Sequence, residues 1–202
     1  MSFRKEEKLK IDKSKLVNLL DWINLNQGYE LFESRIVSST YFDNDTLSMF
    51  LDSEEGVVPR KKIRIRSYSE DIHNQYNSLL EMKTSSVEGR FKTSIKNPNI
   101  EKILSKGFFD SSYGICKPRV RVTYLRSYYQ IYGIRLTIDQ DIKYSKINTL
   151  GRSIYMNTDS DIIIELKANR KVPIEYLLRK FPFERVRFSK YCRAINSCIC
   201  TT

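Results

Sequence analysis

Four cations stand at alternate positions in one short run: Arg60, Lys62, Arg64 and Arg66, with Ile63 and Ile65 interleaved. In an extended chain successive side chains point to opposite faces, so this spacing gathers the cations on one face and the isoleucines on the other. The pattern recurs along the sequence. Glu81 and Lys83 share a face, as do Arg90 and Lys92, Tyr124 and Arg126, and Arg135, Thr137 and Asp139. Arg4, Glu6 and Lys8 open the chain this way, and near its end Ile162, Ile164 and Leu166 alternate with Ile163, Glu165 and Lys167. A charged face turned to water is the ordinary home for such residues. Repetition over so many strands, with basic groups outnumbering carboxylates, suits another use. Arg and Lys grip non-bridging phosphate oxygens through charge-assisted hydrogen bonds. Carboxylates among them would repel phosphate unless a divalent cation lies between, and hard oxygen ligands select Mg2+ or Mn2+. Glu165, Glu6, Glu81 and Asp139 are the candidate ligands. For each the alternative is a cross-strand ion pair with a neighbouring Lys or Arg.

Other chemistries are closed off by what the chain lacks. His73 is the only histidine and lies in the polar stretch SEDIHNQYNS, which removes His-rich zinc sites and histidine-dependent nucleophilic catalysis. The seven glycines form neither GxGxxG nor GxxxxGK[ST], so phosphate is not bound by a dinucleotide turn or a P-loop. Cys116, Cys192, Cys198 and Cys200 have no CxxC spacing and read as reduced thiols of a cytoplasmic protein. The opening MSFRKEEKLK is not a signal peptide, and the longest aliphatic run, Ile162-Ile163-Ile164, is far too short to span a membrane. Any membrane association would come only through a partner.

The elements that must hold these residues are mostly strands. The alternation predicts strands over 3–10, 34–43, 58–68, 78–85, 89–95, 118–129, 133–140 and 161–168, with polar loops at 68–78 and 144–160. Helices are few. Asp12 can cap one over 13–26, where Leu16, Leu19, Leu20 and Ile23 form a stripe, Trp22 packs beside it and Gly28 ends it. Asn97 can cap a short helix with Pro98 in its first turn and Gly107 as its stop. Others are expected over 174–180 and from Ser189. The chain has 202 residues, 41% of them hydrophobic, with 35 Lys+Arg against 24 Asp+Glu for a net charge of +11. That suits one domain, 1–202, with a sizeable core and an anionic partner. The predicted class is α+β, mainly antiparallel: a closed eight-stranded barrel with a few short flanking helices, aliphatic face outward against them and charged face lining the bore. Burying so many like charges is costly, so such a bore stays wet or takes a polyanion.

The residues also resemble a known family. In order, Arg4-x-Glu6-x-Lys8, Ser39-Thr40-Tyr41-Phe42-Asp43, Arg60-x-Lys62-x-Arg64-x-Arg66-x-Tyr68, Glu81-Met82-Lys83, Arg90-x-Lys92, Val122-x-Tyr124-x-Arg126, Arg135-Leu136-Thr137-Ile138-Asp139, Glu165-Leu166-Lys167 and Phe188-Ser189-Lys190-Tyr191 are similar to the VTC domain. That domain is named for the vacuolar transporter chaperone complex and is grouped with CYTH proteins among the triphosphate tunnel metalloenzymes. The resemblance implies an antiparallel tunnel barrel, a Mn2+ or Mg2+ ion, and synthesis of inorganic polyphosphate from ATP. It implies that Lys8, Arg64, Arg66, Lys83, Lys92, Arg126, Arg135 and Lys190 grip phosphates, that Tyr124 hydrogen-bonds a phosphate oxygen, and that Glu165 holds the metal. Catalysis is expected of Arg64, Arg66, Lys83, Arg126, Arg135 and Lys190. Substrate binding is expected of Lys8, Lys62, Arg60, Arg90, Lys92, Tyr124, Lys167 and Ser189. Arg60 and Lys62 rank second because so long a strand can leave the bore. Lys167 can instead pair with Glu165, and Arg119 and Arg121 fall on the opposite face from Tyr124 and Arg126. Two departures stand out. Hydrolytic CYTH relatives begin Glu-x-Glu-x-Lys where this chain has Arg4, which also marks the VTC branch, and Leu9 replaces a tyrosine.

Phosphoryl transfer needs positioning and charge stabilisation more than covalent chemistry, so a terminal phosphate can attack ATP in line without a protein nucleophile. Two other readings remain open. A tripolyphosphatase or nucleoside triphosphatase would need a carboxylate base, Glu6 or Glu81, to activate water. A non-catalytic polyphosphate- or RNA-binding module would use the cations and aromatics but gain nothing from the carboxylates. No DNA partner is expected.

Overall fold

The computed structural model describes residues 4–69, 78–148, 152–169, 172 and 184–200. Eleven strands occur among them: β1 (Arg4–Asp12), β2 (Tyr29–Asp43), β3 (Arg60–Ser67), β4 (Leu79–Ser86), β5 (Gly89–Lys96), β6 (Phe108–Asp110), β7 (Gly114–Ile131), β8 (Ile134–Ile147), β9 (Ser153–Thr158), β10 (Asp161–Asn169) and β11 (Glu184–Arg185). The described helices are α1 (Leu16–Leu25), α2 (Ser48–Glu55), α3 (Ile100–Lys106) and α4 (Lys190–Cys198). The class is α+β with a mainly antiparallel sheet, ordered β11-β1-β10-β8-β7-β2-β3-β4-β5, while β6 and β9 pair aside with β7 and β8.

This corrects the expected closed barrel of eight strands. All eight predicted strands form, three short ones join them, and the hydrogen-bonded order is a path with two ends, β11 and β5, among the described residues. Alternation specifies which face a side chain takes but carries no signal for whether two edge strands pair. The expected polar loop over 144–160 instead holds the end of β8 and all of β9, which pair antiparallel from Lys143↔Thr158. The predicted turn at 68–78 and His73 fall largely, and the helix over 174–180 wholly, outside the described residues.

The chain gathers into two compact units: Met1–Arg35 with Tyr124–Ile142 and Asp159–Phe188, and Ile36–Thr123 with Lys143–Thr158 and Ser189–Thr202. Strands β2, β7 and β8 run through both. In the first unit, β1, β10 and β8 turn Leu9, Ile11, Ile162, Ile164, Leu166, Leu136 and Ile138 to one side, all at most 3% exposed. Leu19 and Ile23 of α1 pack on this face, with Trp22 partly buried against it. Each such side chain contributes about 1.5–3 kcal/mol by leaving water. Asp12 makes no side-chain cap; it ends β1, and a short 3-10 turn over Lys13–Lys15 leads into α1. Gly28 follows because a Cβ there would lie 2.6 Å from Ile23 Cγ2 and 2.8 Å from Ile131 Cγ1.

In the second unit, β3 and β4 bury Ile63, Ile65 and Leu80, each at most 1% exposed. α3 is capped by Asn99, which accepts from the Lys102 amide at 3.0 Å, not by Asn97. Pro98 therefore precedes the cap instead of opening the helix. α2 was not expected from the sequence. Its first turn is organised from outside: Asp43, the last residue of β2, accepts from the amides of Met49 (3.1 Å) and Phe50 (3.0 Å). α4 starts where expected, with Ser189 Oγ accepting from the Cys192 amide at 3.3 Å.

Candidate functional site

In the second unit the strand registers stack the charged residues in rows. Lys62 lies opposite Lys83, and Lys83 opposite Lys92, so three lysines cross three neighbouring strands side by side. Like charges directly opposite one another disfavour the sheet; Lys62 is drawn off to Ser189 and Lys92 to Glu81. The adjacent row runs Tyr41, Arg64, Glu81 and Ser94, and the one beyond places Ser39 opposite Arg66. Arg60 and Arg90 both face Ser85 in a further row, where Arg60 donates to the carbonyls of Gly56 (3.1 Å) and Val57 (2.8 Å) at the end of α2.

Glu81 is the hub of this cluster. It is 1% exposed, accepts from Arg64 Nε at 2.7 Å, lies 3.7 Å from Arg66 Nε, and pairs with Lys92. Burial alone would raise its pKa, but the Arg64 and Arg66 charges and the Lys92 hydrogen bond bring it down to about 2. Its charge is therefore neutralised by protein cations, the alternative weighed against metal ligation. Arg64 also donates through Nη1 to the Tyr41 hydroxyl at 3.0 Å. Burial would raise the Tyr41 pKa, yet it is lowered overall by Arg64, Arg66 and, more weakly, Lys190.

Lys190 and Ser189 come from the start of α4. Lys62 Nζ donates to Ser189 Oγ at 2.8 Å, and Tyr191, two residues on, stacks on Tyr41 with ring centroids 5.2 Å apart. The Tyr191 hydroxyl donates to Asp43, the same carboxylate that caps α2. Burial and the Asp43 charge raise the Tyr191 pKa strongly, so it stays protonated as a donor. Asp43 and the two tyrosines thus fix α2, α4 and the Arg64 side chain together. None of these three is assigned a role by charge alternation, although Ser39-Thr40-Tyr41-Phe42-Asp43 and Ser189-Lys190-Tyr191 lie within the motifs that resemble the family. The available signal was the shared parity of Tyr41 and Asp43 with the cations opposite. Arg119 and Arg121 are engaged elsewhere, with Asp45 and the Asp43 carbonyl and with Thr40 Oγ1 at 3.3 Å.

The first unit carries its own cluster on the face opposite its aliphatic core. Lys8 lies across from Glu165, and Glu165 across from Thr137; Glu6 faces Lys167, and Lys167 faces Arg135. Arg126 grips Asp139 in a two-pronged pair, Nε at 2.5 Å and Nη2 at 2.7 Å, and sits 5.2 Å over the Tyr124 ring. Burial opposes the Arg126 charge, but Asp139 outweighs it and raises its pKa. Asp139 is 0% exposed and takes the ion-pair alternative. Lys167 approaches Glu165 at 3.1 Å and Glu6 at 3.7 Å, and Lys8 donates to the Phe188 carbonyl at 2.6 Å. Burial would raise the Glu165 pKa, but a hydrogen bond from Glu6 and the charges of Lys167, Arg126 and Lys8 hold it well below the usual carboxylate range.

Among the described residues no three His, Cys, Asp or Glu side chains gather as a metal cluster. Glu6 and Glu165 meet directly, sharing a hydrogen bond whose proton a bound cation would displace. Mg2+ and Mn2+ are commonly held by one or two carboxylates, with waters and substrate oxygens completing the shell. Thr137 adds an observation of the same sense: its Oγ1 is buried without a hydrogen-bond partner, on the residue paired with Glu165. The donor set fits a hydrated hard cation.

Solved structures that share this fold include the following three. One named "putative adenylate cyclase" from Bacillus halodurans aligns with TM-score 0.62 at 14% identity, over 93% of this chain and 94% of that one. A "putative adenylyl cyclase" from Hippeastrum, described as having a dominant triphosphatase activity, aligns with TM-score 0.62 at 16% identity over 98% and 97%. A conserved hypothetical protein from Pyrococcus furiosus follows at TM-score 0.51 and 18% identity over 88% and 89%. These likenesses show a shared fold, a mainly antiparallel sheet with a few helices. The VTC domain model matches residues 3–113 and 107–199, and the chain belongs to the VTC domain family. No curated protein matches it.

Proposed function

We propose that residues 1–202 work as one domain that carries out metal-dependent phosphoryl transfer on triphosphates, and that its reaction is synthesis of inorganic polyphosphate from ATP. The observation that carries this reading is burial at the centre of each charged face, while Lys83, Arg90 and Lys92 toward the β5 edge are exposed. Arg64, Glu81, Asp139 and Glu165 are each at most 8% exposed, on strands whose other faces are packed aliphatic side chains. A merely solvated face would leave them in water. Membership in the VTC family supports the triphosphate as substrate class.

Arg64, Arg66, Lys83 and Lys190, with Lys62, Lys92, Arg90 and Ser189 around them, bind and orient phosphate oxygens in the second unit. Arg126, Arg135, Lys8, Lys167 and Tyr124 do so in the first. Glu165, with Glu6, would hold the divalent ion, which when bound neutralises charge developing on the transferred phosphoryl group. Glu81 and Asp139, candidate ligands by sequence, act instead by holding Arg64 and Arg126 in place. An attacking terminal phosphate is already anionic, so the protein need only align it and exclude competing water.

A hydrolase needs a base to activate water, and Glu81, held near pKa 2 by its cations, is a poor one. That removes Glu81 and leaves Glu6 as the candidate base a hydrolase would use. Incubating the purified protein with ATP and Mn2+ is expected to give an acid-labile polymer, and Glu165→Gln is expected to give little or none. Release of free phosphate without chain growth would mean a triphosphatase. Metal-independent, salt-sensitive binding of RNA with no turnover would mean a binding module.

A further inference from the structure

A buried polar atom without a hydrogen-bond partner is uncommon and costs free energy, so each instance asks what it is for. In the second unit Ser39 Oγ and Arg66 Nε are two such atoms. They are neighbours by construction: Ser39 and Arg66 are directly opposed in the β2–β3 ladder. Opposed residues of an antiparallel pair share a face, with Cβ atoms about 5 Å apart. That face is the charged one, since Tyr41, two residues after Ser39, meets Arg64 there.

The chemistry of the pair defines what would complete it. The Arg66 Nε–H can only donate, and the serine hydroxyl can rotate to donate beside it. The carboxylate nearest to Arg66, Glu81 at 3.7 Å, is already bound by Arg64 and Lys92. Three cations thus surround one carboxylate, and the local excess of positive charge calls for an anionic acceptor. Lys190 adds to that field, as its effect on Tyr41 records.

We infer that Ser39 Oγ and Arg66 Nε together receive one non-bridging oxygen of a phosphoryl group, which makes Ser39 a substrate-binding residue. This rests on the triphosphate reading above and deepens it. The hydroxyl supplies a short, uncharged donor on a strand backbone, so it fixes where along the cationic face that phosphoryl group stops. Long lysine side chains cannot do this.

The test is calorimetric titration of tripolyphosphate and, in parallel, of ATP into wild type and Ser39→Ala, with thermal melts of both proteins free of ligand. Ser39→Ala is expected to bind about tenfold to a hundredfold more weakly, the usual scale for one hydrogen bond to a charged group. Its ligand-free melting temperature is expected to equal or exceed that of wild type, because the hydroxyl satisfies nothing in the free protein. A loss with both ligands assigns the subsite to the shared phosphoryl group, and a loss with one alone assigns it to that ligand. Equal affinities of wild type and Ser39→Ala for both ligands would overturn the inference. So would a ligand-free melting temperature several degrees lower, which would mean the hydroxyl has a partner within the protein. If wild type binds neither ligand, the triphosphate reading itself falls, an outcome distinct from equal binding by the two proteins.

Discussion

Glu81 shows how far a single side chain can be displaced from its expected part. A carboxylate among cations reads as a metal ligand or as an ion-pair partner, and parity cannot separate the two. The register decides, placing Arg64 directly across and Lys92 within reach. Because its pKa falls from the ordinary 4.5 to about 2, its contribution to stability is complete above pH 4.5 and is lost as the pH drops through about 2. Melts of wild type and Glu81→Gln are therefore expected to differ by a constant amount above pH 4.5 and to converge toward pH 2. A gap that persists unchanged at pH 2 would mean the cations do not hold that carboxylate. Asp139 plays the same part for Arg126. Asp139→Asn is expected to raise KM for the triphosphate, and Arg126→Lys is expected to do the same, since lysine lacks the planar fork that Asp139 grips. The side-chain faces were legible in the sequence because a period of two is local. The partner of each charge was not, because it depends on which strand lies alongside.

At the scale of elements, the predicted strands formed because alternating β-branched and charged residues leave little choice, and α1 formed on its apolar stripe. α2 was hidden because its sequence, SMFLDSEE, has a weak apolar face, and its start depends on Asp43 five residues upstream. That dependence is measurable. Asp43→Ala removes the acceptor of two helix amides and of the Tyr191 hydroxyl, and is expected to cost about 2–4 kcal/mol in denaturant unfolding. Tyr191→Phe, which keeps the stack on Tyr41, is expected to cost about 1 kcal/mol. Full additivity in the double variant would mean that the two residues do not act as one unit. At the α1–β2 junction, Gly28→Ala forces a methyl into Ile23 and Ile131, and about 1–3 kcal/mol of destabilisation is expected by the same measurement.

For the molecule as a whole, a net charge of +11 makes binding of a polyanion sensitive to ionic strength. Raising KCl from about 50 to about 300 mM is expected to weaken tripolyphosphate binding roughly tenfold, largely through slower association. Affinity indifferent to salt would count against the cationic faces as the binding surface. The α+β, mainly antiparallel class was legible in the sequence, while the open order of strands was not, for edges carry no periodic signature. Among the described residues none of the helices is long and apolar enough to cross a membrane. The open order has one last consequence. Among the described residues β5 ends the path, and nearly all of it lies exposed, including Phe91 and Ile95 on one side and Arg90, Lys92 and Lys96 on the other. Bare backbone at such a rim invites a sister molecule to add its own strand and begin a fibril. A row of like charges along it makes two copies repel before they can zip together, so the cations of this edge, two of them proposed above to bind phosphate, also guard the protein against self-templating.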